Sequence, residues 1–366
     1  MKNTFGSALT LTLFGESHGP MIGVVLDGLC PGLPIDEDAI RVELDLRRPS
    51  GSISTARREA DKFVLASGIF EGRTTGTPLT ILIPNADAKS GDYFYGPARP
   101  GHADLTAHIK YEGYEDYRGG GHFSGRLTAP LAAAGAILRA ALGAKGIRVG
   151  THIARLGGIP DRPFGDLDRD ITALTVSPFP VLDPDAGDAM RAAIEAARED
   201  GDSVGGVLET AVTGLPAGLG EPWFDTVEGE LAHALFSIPA VKGVEFGGGF
   251  SLADKRGSEA NDPVSYDADG SLVFGSNHNG GINGGITNGA PVLFRTAVKP
   301  TPTIAKPQDT VNFLTGENTV IEGRGRHDPA IVHRARVAVD AMALLVTADL
   351  LTVRYGCGWF RQEDGR

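Results

Sequence analysis

Segment 118–126 reads RGGGHFSGR and runs directly into an alanine-rich stretch. Its three consecutive glycines leave backbone N–H groups uncovered, and Arg118 and Arg126 supply positive charge. Thr128 and Pro130 suit the first turn of a helix, whose N-terminus would add to the positive potential. The segment therefore predicts a site for an anion such as phosphate. A flexible turn flanked by solvated arginines is an equally compatible interpretation.

Two histidines lie in glycine-bounded loops, His18 in GESHG and His102 in RPGHAD. Histidine exchanges protons near neutral pH, and Arg99, three residues before His102, would stabilise an anion on the same loop. The pattern favours acid–base chemistry, although a single histidine in a sequence is more often structural.

Asp328 lies between Arg326 and Pro329 in the segment GRGRHDP. It is either a catalytic carboxylate or the N-cap of the last helix, and the spacing alone favours the cap. Arg47 and Arg48 end another predicted helix, where interaction with the helix dipole is enough to explain them.

Composition excludes several classes of protein. The chain has 366 residues and a net charge of −12, which argues against a general nucleic-acid or anionic-membrane surface. No stretch approaches the roughly 18 apolar residues of a membrane span. Cys30 and Cys357 are far apart and in no metal-ligand spacing, so we expect no metal, no disulfide framework and a reducing, cytoplasmic location. Kinase, dinucleotide-fingerprint and zinc-protease motifs are missing from the sequence.

The pattern of elements predicts an α+β fold in a single domain spanning 1–366. Alternating residues at 8–14 predict a strand that delivers GESHG at its end, and strands joined by short turns favour antiparallel sheets. Further strands are predicted at 21–29, 63–70, 79–83, 207–213 and 291–298, and at 241–252 with an interruption at Gly247, Gly248 and Gly249. Helices are predicted after Asp36, at 127–144, at 183–197, at 226–236 and from Pro329 to about Arg354. The uncharged, glycine-rich segment 275–289 is either a mobile linker or a wall of backbone donors.

The sequence closely resembles chorismate synthases over nearly its whole length. The matching stretches are FGESHG (14–19), DLRRPSG (45–51), the region around 57–59, RPGHAD (99–104), YRGGG (117–121), GDSVGG (201–206), GLPAGLGEP (214–222), AHALFSIPAVKGVEFG (232–247), SNHNGGINGGITNG (276–289), KPTPT (299–303) and GRHDP (325–329).

This resemblance implies an α/β sandwich with helices between two antiparallel sheets, assembled as a homotetramer. It implies loss of phosphate and a ring proton from 5-enolpyruvylshikimate 3-phosphate to give chorismate, the last step of the shikimate pathway. Reduced FMN would assist this lyase reaction, which has no net redox change.

The resemblance also implies roles for individual residues. His18 would face the substrate phosphate, His102 the pyrimidine edge of the flavin, and Asp328 would take a proton from the flavin N5 side or position it. The substrate anions would be surrounded by Arg47, Arg48, Arg99, Arg126 and Arg326. FMN would contact His122, Phe123, Ser124, Pro239, Ala240, Gly284, Lys299, Pro300, Thr301, Pro302, Thr303 and Arg326. NADPH, as a reductant, would contact Arg47.

The chain departs from many relatives at two places. It reads HFSGR at 122–126 where they read RSSAR, which removes an arginine from the expected cofactor site. At Ser52 and Ile53 it lacks a basic residue that relatives often carry near the expected nucleotide site.

Two other functions could use the same residue types. A phosphate-ester hydrolase or phosphoryl-transfer enzyme would require a cluster of metal-binding carboxylates or a nucleophile motif, which the sequence lacks. A non-catalytic phosphate- or flavin-binding protein would not require paired histidine and aspartate in glycine-rich loops.

Overall fold

The computed structural model describes residues 2–49, 51, 53–54, 61–86, 95–323 and 328–361. The α-helices of this part of the chain are α1 (Glu37–Arg47), α2 (Asp104–Tyr111), α3 (Thr128–Gly143), α4 (Leu167–Thr175), α5 (Pro184–Glu199), α6 (Val227–Phe236), α7 (Gly257–Ala260) and α8 (Val332–Tyr355). The strands are β1 (Thr4–Phe5), β2 (Thr10–Gly15), β3 (Met21–Asp27), β4 (Val64–Ser67), β5 (Ile69–Phe70), β6 (Arg73–Thr74), β7 (Leu79–Pro84), β8 (Arg148–Leu156), β9 (Ile159–Pro160), β10 (Gly206–Thr213), β11 (Val241–Phe246), β12 (Val264–Tyr266), β13 (Leu272–Phe274), β14 (Ile282–Asn283), β15 (Ile286–Thr287), β16 (Val292–Val298), β17 (Pro307–Asn312) and β18 (Glu317–Glu322).

Two five-stranded antiparallel sheets form the outer layers. The first has the strand order β1-β2-β3-β7-β4, and the second has the order β11-β16-β10-β8-β9. In β16 the side chains of Val292, Phe294 and Val298 are buried on one face, as expected for a strand with one face on the core.

Helices α3 and α8 form the layer between the sheets, and α1 packs on both of them. Helix α3 contacts β3 and β7 of the first sheet and β8 of the second, while α8 packs on α3, β8 and β10. The two long helices approach closely at Gly135, where an added Cβ would lie only 2.7 Å from Ala341 Cβ. The predicted α+β sandwich with antiparallel sheets is therefore confirmed.

Buried carboxylates on α8 join the layers. Asp349 accepts hydrogen bonds of 2.8 Å from the backbone N–H groups of residues 7–9, immediately before β2. Asp340 accepts from Arg139 Nη2 at 3.0 Å and from Thr151 Oγ1 at 2.5 Å, which ties α8 to α3 and β8. Because β2 leads directly to His18, this anchoring also fixes the start of the candidate site.

Helix caps confirm one prediction and contradict another. Asp36 caps α1 by accepting hydrogen bonds from two backbone N–H groups of the first turn. The N-cap of α8, however, is Ile331, and its side chain makes no capping hydrogen bond. The prediction that Asp328 caps the last helix is therefore wrong, because the helix begins one turn later.

The glycine-rich segments form defined structure. The predicted interruption at Gly247 is confirmed, because Gly247 takes a positive φ and an added Cβ there would lie 2.2 Å from the His278 carbonyl oxygen. The strand ends at Phe246 and does not resume, since Gly249–Asp254 form a 3₁₀ helix. Segment 275–289 forms part of an ordered turn, in which Asp262 accepts from the N–H groups of His278 and Asn279. A mobile linker is not what the structure shows there.

Candidate active site

A cavity of about 590 Å³ opens where the end of β2 meets the loops around 99–104 and 114–123. Much of its wall is aromatic, and histidines and carboxylates enter from its sides. The residues relevant to function that line it are Gly15, Glu16, Tyr95, Arg99, His102, Asp104, Tyr111, Tyr114, Asp116, Tyr117, Gly120, His122, Phe123, Thr303, Phe313 and Glu322. Its volume falls within the roughly 300–1,000 Å³ of small-molecule sites.

The His18 loop is built by hydrogen bonds from neighbouring segments. Asn85 Nδ2 donates to the carbonyl oxygens of Glu16 at 2.9 Å and Gly19 at 2.8 Å, which closes the turn. The Ser17 backbone N–H donates to the Gly121 carbonyl oxygen at 3.1 Å. His18 is buried in this turn.

The three glycines after Arg118 pass between the two predicted catalytic histidines. All three have positive φ values, so the glycine run is a non-helical turn whose backbone conformation other residues rarely adopt. A Cβ at Gly119 would lie 2.3 Å from His18 Cδ2, and a Cβ at Gly120 would lie 3.2 Å from His102 Cε1. The sequence RGGG therefore brings both imidazole rings against one stretch of bare backbone.

His102 belongs to a compact ionic group that we name the Asp104 cluster (Arg99, His102 and Asp104). Arg99 donates to both carboxylate oxygens of Asp104, at 2.8 Å from Nε and 2.7 Å from Nη2. His102 Nδ1 lies 2.8 Å from Asp104 Oδ1. Burial opposes ionisation of Asp104, but the hydrogen bonds from Arg99 and His102 outweigh it and hold the pKa of this carboxyl well below its usual range.

A second ionic group, the Asp61 cluster (Arg47, Asp61 and Arg126), joins the end of α1 to the turn before α3. Arg47 Nη2 donates to Asp61 Oδ2 at 2.8 Å, and Arg126 Nη1 donates to Asp61 Oδ1. Burial raises the pKa of Asp61, but the two guanidinium groups outweigh this and hold it below its usual value. Arg126 Nε also donates to Asn85 Oδ1 at 3.1 Å, which links the cluster to the His18 loop.

The remaining predicted arginines differ in position. Arg48 pairs with Asp45 at the end of α1 and stays partly exposed. Arg118, at the start of the glycine run, donates to Asp116 at 2.7 Å from Nη2 and 2.8 Å from Nε. Arg326 lies outside the described residues.

The predicted cofactor segments meet next to the His102 loop. The Lys299 N–H donates to the Ala240 carbonyl oxygen at 3.0 Å, and Ala240 itself has an unusual positive φ. Lys299 Nζ donates to the Gly101 carbonyl oxygen. Burial lowers the pKa of Lys299, as does nearby Lys242. Residues 239–240 and 299–303 are thus brought together beside His102, and Thr303 lines the cavity.

The side chains of residues 122–124 contact neighbouring parts of the protein. His122 Nδ1 lies 2.8 Å from the Gly15 carbonyl oxygen, so it donates there. Phe123 packs edge-on against Tyr111, with ring centroids 6.0 Å apart, and both line the cavity. Ser124 accepts a hydrogen bond from the Arg126 N–H and begins the next turn.

Gly284 is not close to the other predicted cofactor residues. Its segment is attached to the start of β16, where Asn277 Nδ2 donates to the Pro291 carbonyl oxygen at 2.8 Å. Lys299 follows the opposite end of this seven-residue strand, about 20 Å away at roughly 3.4 Å per residue. Gly284 also does not line the cavity.

Asp328 is buried and pairs with Arg334 from the first turn of α8. The neighbouring Pro329 carbonyl oxygen accepts from the Val204 N–H at 2.8 Å, which attaches this segment to the start of β10. The carboxylate is therefore held in place by an ion pair rather than by a helix cap.

Several residues of the site were not predicted from the sequence. Asp61 and Asn85 connect three segments, but the residues around them in the sequence do not indicate these contacts. Asp104 and Ser17 stand inside quoted motifs, and those motifs were the available signal. Ser17 Oγ is buried without a hydrogen-bond partner among the described residues and lies close to Gly119, which is typical of a group that a ligand satisfies.

The sandwich and the cavity together define an enzyme that acts on a small molecule. His102 lines the cavity, and His18 lies against the same glycine run. Among the described residues, no helix is both long and apolar enough to span a bilayer.

Comparisons with known proteins identify the family. Residues 9–352 match the family model described as chorismate synthase. The chain is 45% identical over 356 residues to a chorismate synthase of Aeropyrum pernix, covering 96% of this chain and 93% of the relative. It is 48% identical over 355 residues to a chorismate synthase of Dehalococcoides mccartyi, covering 96% of each. A solved chorismate synthase structure matches with a TM-score of 0.74 and 29% identity over 96% of this chain and 93% of the other.

The chain therefore belongs to the chorismate synthase family. It is an enzyme that forms chorismate, a lyase of the shikimate pathway and of aromatic biosynthesis, and the hydrolase and binding-protein alternatives are not favoured. The family is generally flavin-dependent.

Proposed function

We propose that the cavity binds reduced FMN beside 5-enolpyruvylshikimate 3-phosphate. The observation that supports this most is the placement of Gly119 against His18 and of Gly120 against His102. A ligand surface lying along this bare backbone would meet both imidazole rings. The His18 ring would act on the departing phosphate, and the His102 ring would act on the cofactor.

The Asp61 cluster is the proposed binding site for the substrate anions. Asp61 holds both arginines, and the three side chains are at most 11% exposed. Burial strengthens the interaction of a guanidinium group with a bound anion. Arg47 and Arg126 would supply guanidinium donors to phosphate or carboxylate, with Arg48 at the edge.

The residues around the cavity fit a flavin. Aromatic side chains such as Tyr95, Tyr117 and Phe313 offer flat, apolar surfaces to a ring system. Thr301 Oγ1 is buried without a hydrogen-bond partner among the described residues, and Lys299 reaches the loop of His102. When bound, reduced FMN would supply the electron density that assists phosphate loss without net redox change.

The chain's own groups would handle the protons. His18 would donate to a phosphate oxygen and so neutralise charge on the leaving group. His102 would exchange a proton at Nε2, the nitrogen opposite its contact with Asp104. Asp328, fixed by Arg334, would accept a proton as the substrate loses its ring hydrogen.

The proposed homotetramer accounts for the position of Gly284. Since it lies at the opposite end of β16 from Lys299, its cofactor contact belongs in this proposal to the site of another copy of the chain. Size measurement by light scattering tests the tetramer, and a monomer with full activity would contradict it.

NADPH is the proposed source of electrons for the flavin, with Arg47 as a contact, and the cytoplasm is the proposed location. Chorismate formation with NADPH and FMN in air, compared with chemically reduced FMN without oxygen, tests whether the enzyme reduces its own flavin. Activity only in the second assay would remove NADPH from the proposal.

The lyase chemistry itself has a direct test. Phosphate release should require reduced FMN, yet product should exceed the flavin supplied by many turnovers under anaerobic conditions, because the reaction consumes no electrons. Oxidation of one flavin for each phosphate released would overturn the proposal.

A further inference from the structure

The Asp104 cluster places a carboxylate and a guanidinium group at the same nitrogen of His102. Asp104 Oδ1 lies 2.8 Å from His102 Nδ1, and Arg99 Nη2 lies 3.1 Å from it. All three side chains are about one-fifth exposed, at the edge of the cavity. Asp104 also opens α2, where the helix N-terminus favours its negative charge.

A single ring nitrogen cannot serve both neighbours in the same way. If Nδ1 carries the proton, it donates to Asp104 and Nε2 is left as an acceptor. If Nδ1 is bare, it accepts from Arg99 and Nε2 carries the proton. The choice of tautomer therefore decides whether the neutral ring offers the cavity a proton acceptor or a donor.

The contacts favour the first arrangement. The distance to Asp104 is the shorter of the two, and Arg99 Nη2 is already committed to Asp104 Oδ1 at 2.7 Å. Nε2 then lies beside the bare backbone of Gly120, where an added Cβ would be 3.4 Å away.

We propose that Asp104 is a positioning residue that fixes His102 as the Nδ1–H tautomer, so that Nε2 is the one atom through which this ring exchanges protons with a bound ligand. The inference rests on the proposed role of His102. Protonation at Nε2 leaves the Nδ1–H bond to Asp104 intact, and loss of that proton restores the starting state. The ring can therefore accept and donate a proton through Nε2 without changing its orientation.

The low pKa of Asp104 is consistent with this arrangement. Since Arg99 and His102 keep the carboxylate ionised throughout the neutral range, its acceptor oxygen is always present. A carboxylate that orients a functional histidine is a recurring device, and at metal sites its loss costs roughly 10- to 100-fold in affinity or activity.

Nitrogen-15 NMR of histidine-labelled protein tests the proposal directly, because protonated and bare ring nitrogens have different chemical shifts and proton couplings. In the unsubstituted protein, above the pH at which the ring titrates, we expect Nδ1 to be protonated and Nε2 bare. The signal is assigned by its loss in His102→Ala. An Nε2–H pattern in the unsubstituted protein would overturn the proposal without the need for any further variant.

Asp104→Ala should reverse the pattern, since Arg99 would then donate to Nδ1, and turnover should fall roughly 10- to 100-fold. Asp116→Ala is the matched control, because Asp116 lines the same cavity but pairs with Arg118 instead. It should leave the His102 signals unchanged. An Asp104→Ala protein that is folded and retains the Nδ1–H tautomer would refute the positioning role. Full turnover in His102→Ala would instead refute the proposed role of His102, whatever the tautomer.

Discussion

The Asp61 and Asp104 clusters are built alike but differ in burial and in their cations. In each, one carboxylate holds two basic side chains, which come from different segments in the Asp61 cluster and from a single loop in the Asp104 cluster. The Asp61 side chain is fully buried and both its partners are arginines, which stay charged at every relevant pH. The Asp104 side chain is 17% exposed and one of its partners is a histidine. The first cluster therefore provides guanidinium groups that do not titrate, and the second contains a ring that can exchange a proton.

This difference suits two separate tasks within one reaction. Binding a phosphorylated anion is best served by donors that do not titrate, and burial strengthens their interaction with the ligand. Proton exchange requires a group with access to the ligand and a pKa near neutrality. Asn85, which contacts both Arg126 and the His18 loop, connects the fixed cluster to the other histidine.

The largest effect should come from removing the titratable groups. We expect His18→Ala and His102→Ala each to reduce turnover by ~10²- to 10⁴-fold, the usual contribution of a general acid or base. Thermal unfolding should change little, since both rings lie in loops rather than in the packed helical layer. Turnover is measured with chemically reduced FMN, so that flavin reduction does not limit the rate. If either variant fails to fold, the removed ring has a structural role. Failure of His102→Ala would also remove proton exchange as the property that distinguishes the Asp104 cluster from the Asp61 cluster.

Substitution in the buried cluster should act on stability instead. We expect Asp61→Asn to lower the free energy of unfolding by roughly 3–5 kcal/mol, because two buried arginines lose their shared carboxylate. Urea denaturation measures this as a lower midpoint at unchanged slope.

The control for that prediction is Asp104→Asn, at the partly exposed carboxylate. It should lower the free energy of unfolding by less than Asp61→Asn does, because water reaches Arg99 and His102 and can solvate them once the carboxylate is lost. Equal decreases in the free energy of unfolding would show that burial does not make the Asp61 cluster more important for stability than the Asp104 cluster.

The sequence predicted local features of this site better than long-range ones. His18, His102 and the RGGG segment stand in short motifs whose residue types announce their chemistry. The role of Asp61 depends on contacts with residues 47 and 126 that only folding creates. Strand β8 was also missed, since Thr151 and His152 give it a polar pattern. Both are buried because Asp340 and Asp161 supply their hydrogen bonds.

Asp328 offers a case between the two clusters, a buried carboxylate with an arginine partner but a proposed proton-transfer role. We expect Asp328→Asn to reduce turnover with chemically supplied reduced FMN by ~10²-fold, because asparagine cannot accept a proton. FMN binding, measured by the flavin spectrum, should persist. Turnover close to that of the unsubstituted enzyme would show that Asp328 only pairs with Arg334 and would remove its proposed catalytic role.

The smallest expected effect concerns His152, which combines the burial of the Asp61 cluster with the titratable ring of the Asp104 cluster. Its nitrogens lie 2.9 Å from Asp161 and 3.0 Å from Glu209, and the Phe164 ring packs against it edge-on. Burial lowers the pKa of His152, but the hydrogen bonds and charges of the two carboxylates outweigh it and raise the pKa above its usual value.

The sign of the pH effect follows from that shift. The folded protein binds this proton more tightly than the unfolded chain, so the stabilisation is complete below the ordinary histidine pKa and is lost as pH rises through the higher folded value. Urea unfolding between pH 6 and 9 should therefore show a steeper decline in stability for the unsubstituted protein than for His152→Gln, whose amide stays neutral. Identical slopes would mean that burial alone fixes the charge state of a histidine between carboxylates. The difference between the Asp61 and Asp104 clusters would then be explained by their exposure and not by the titratable ring of His102.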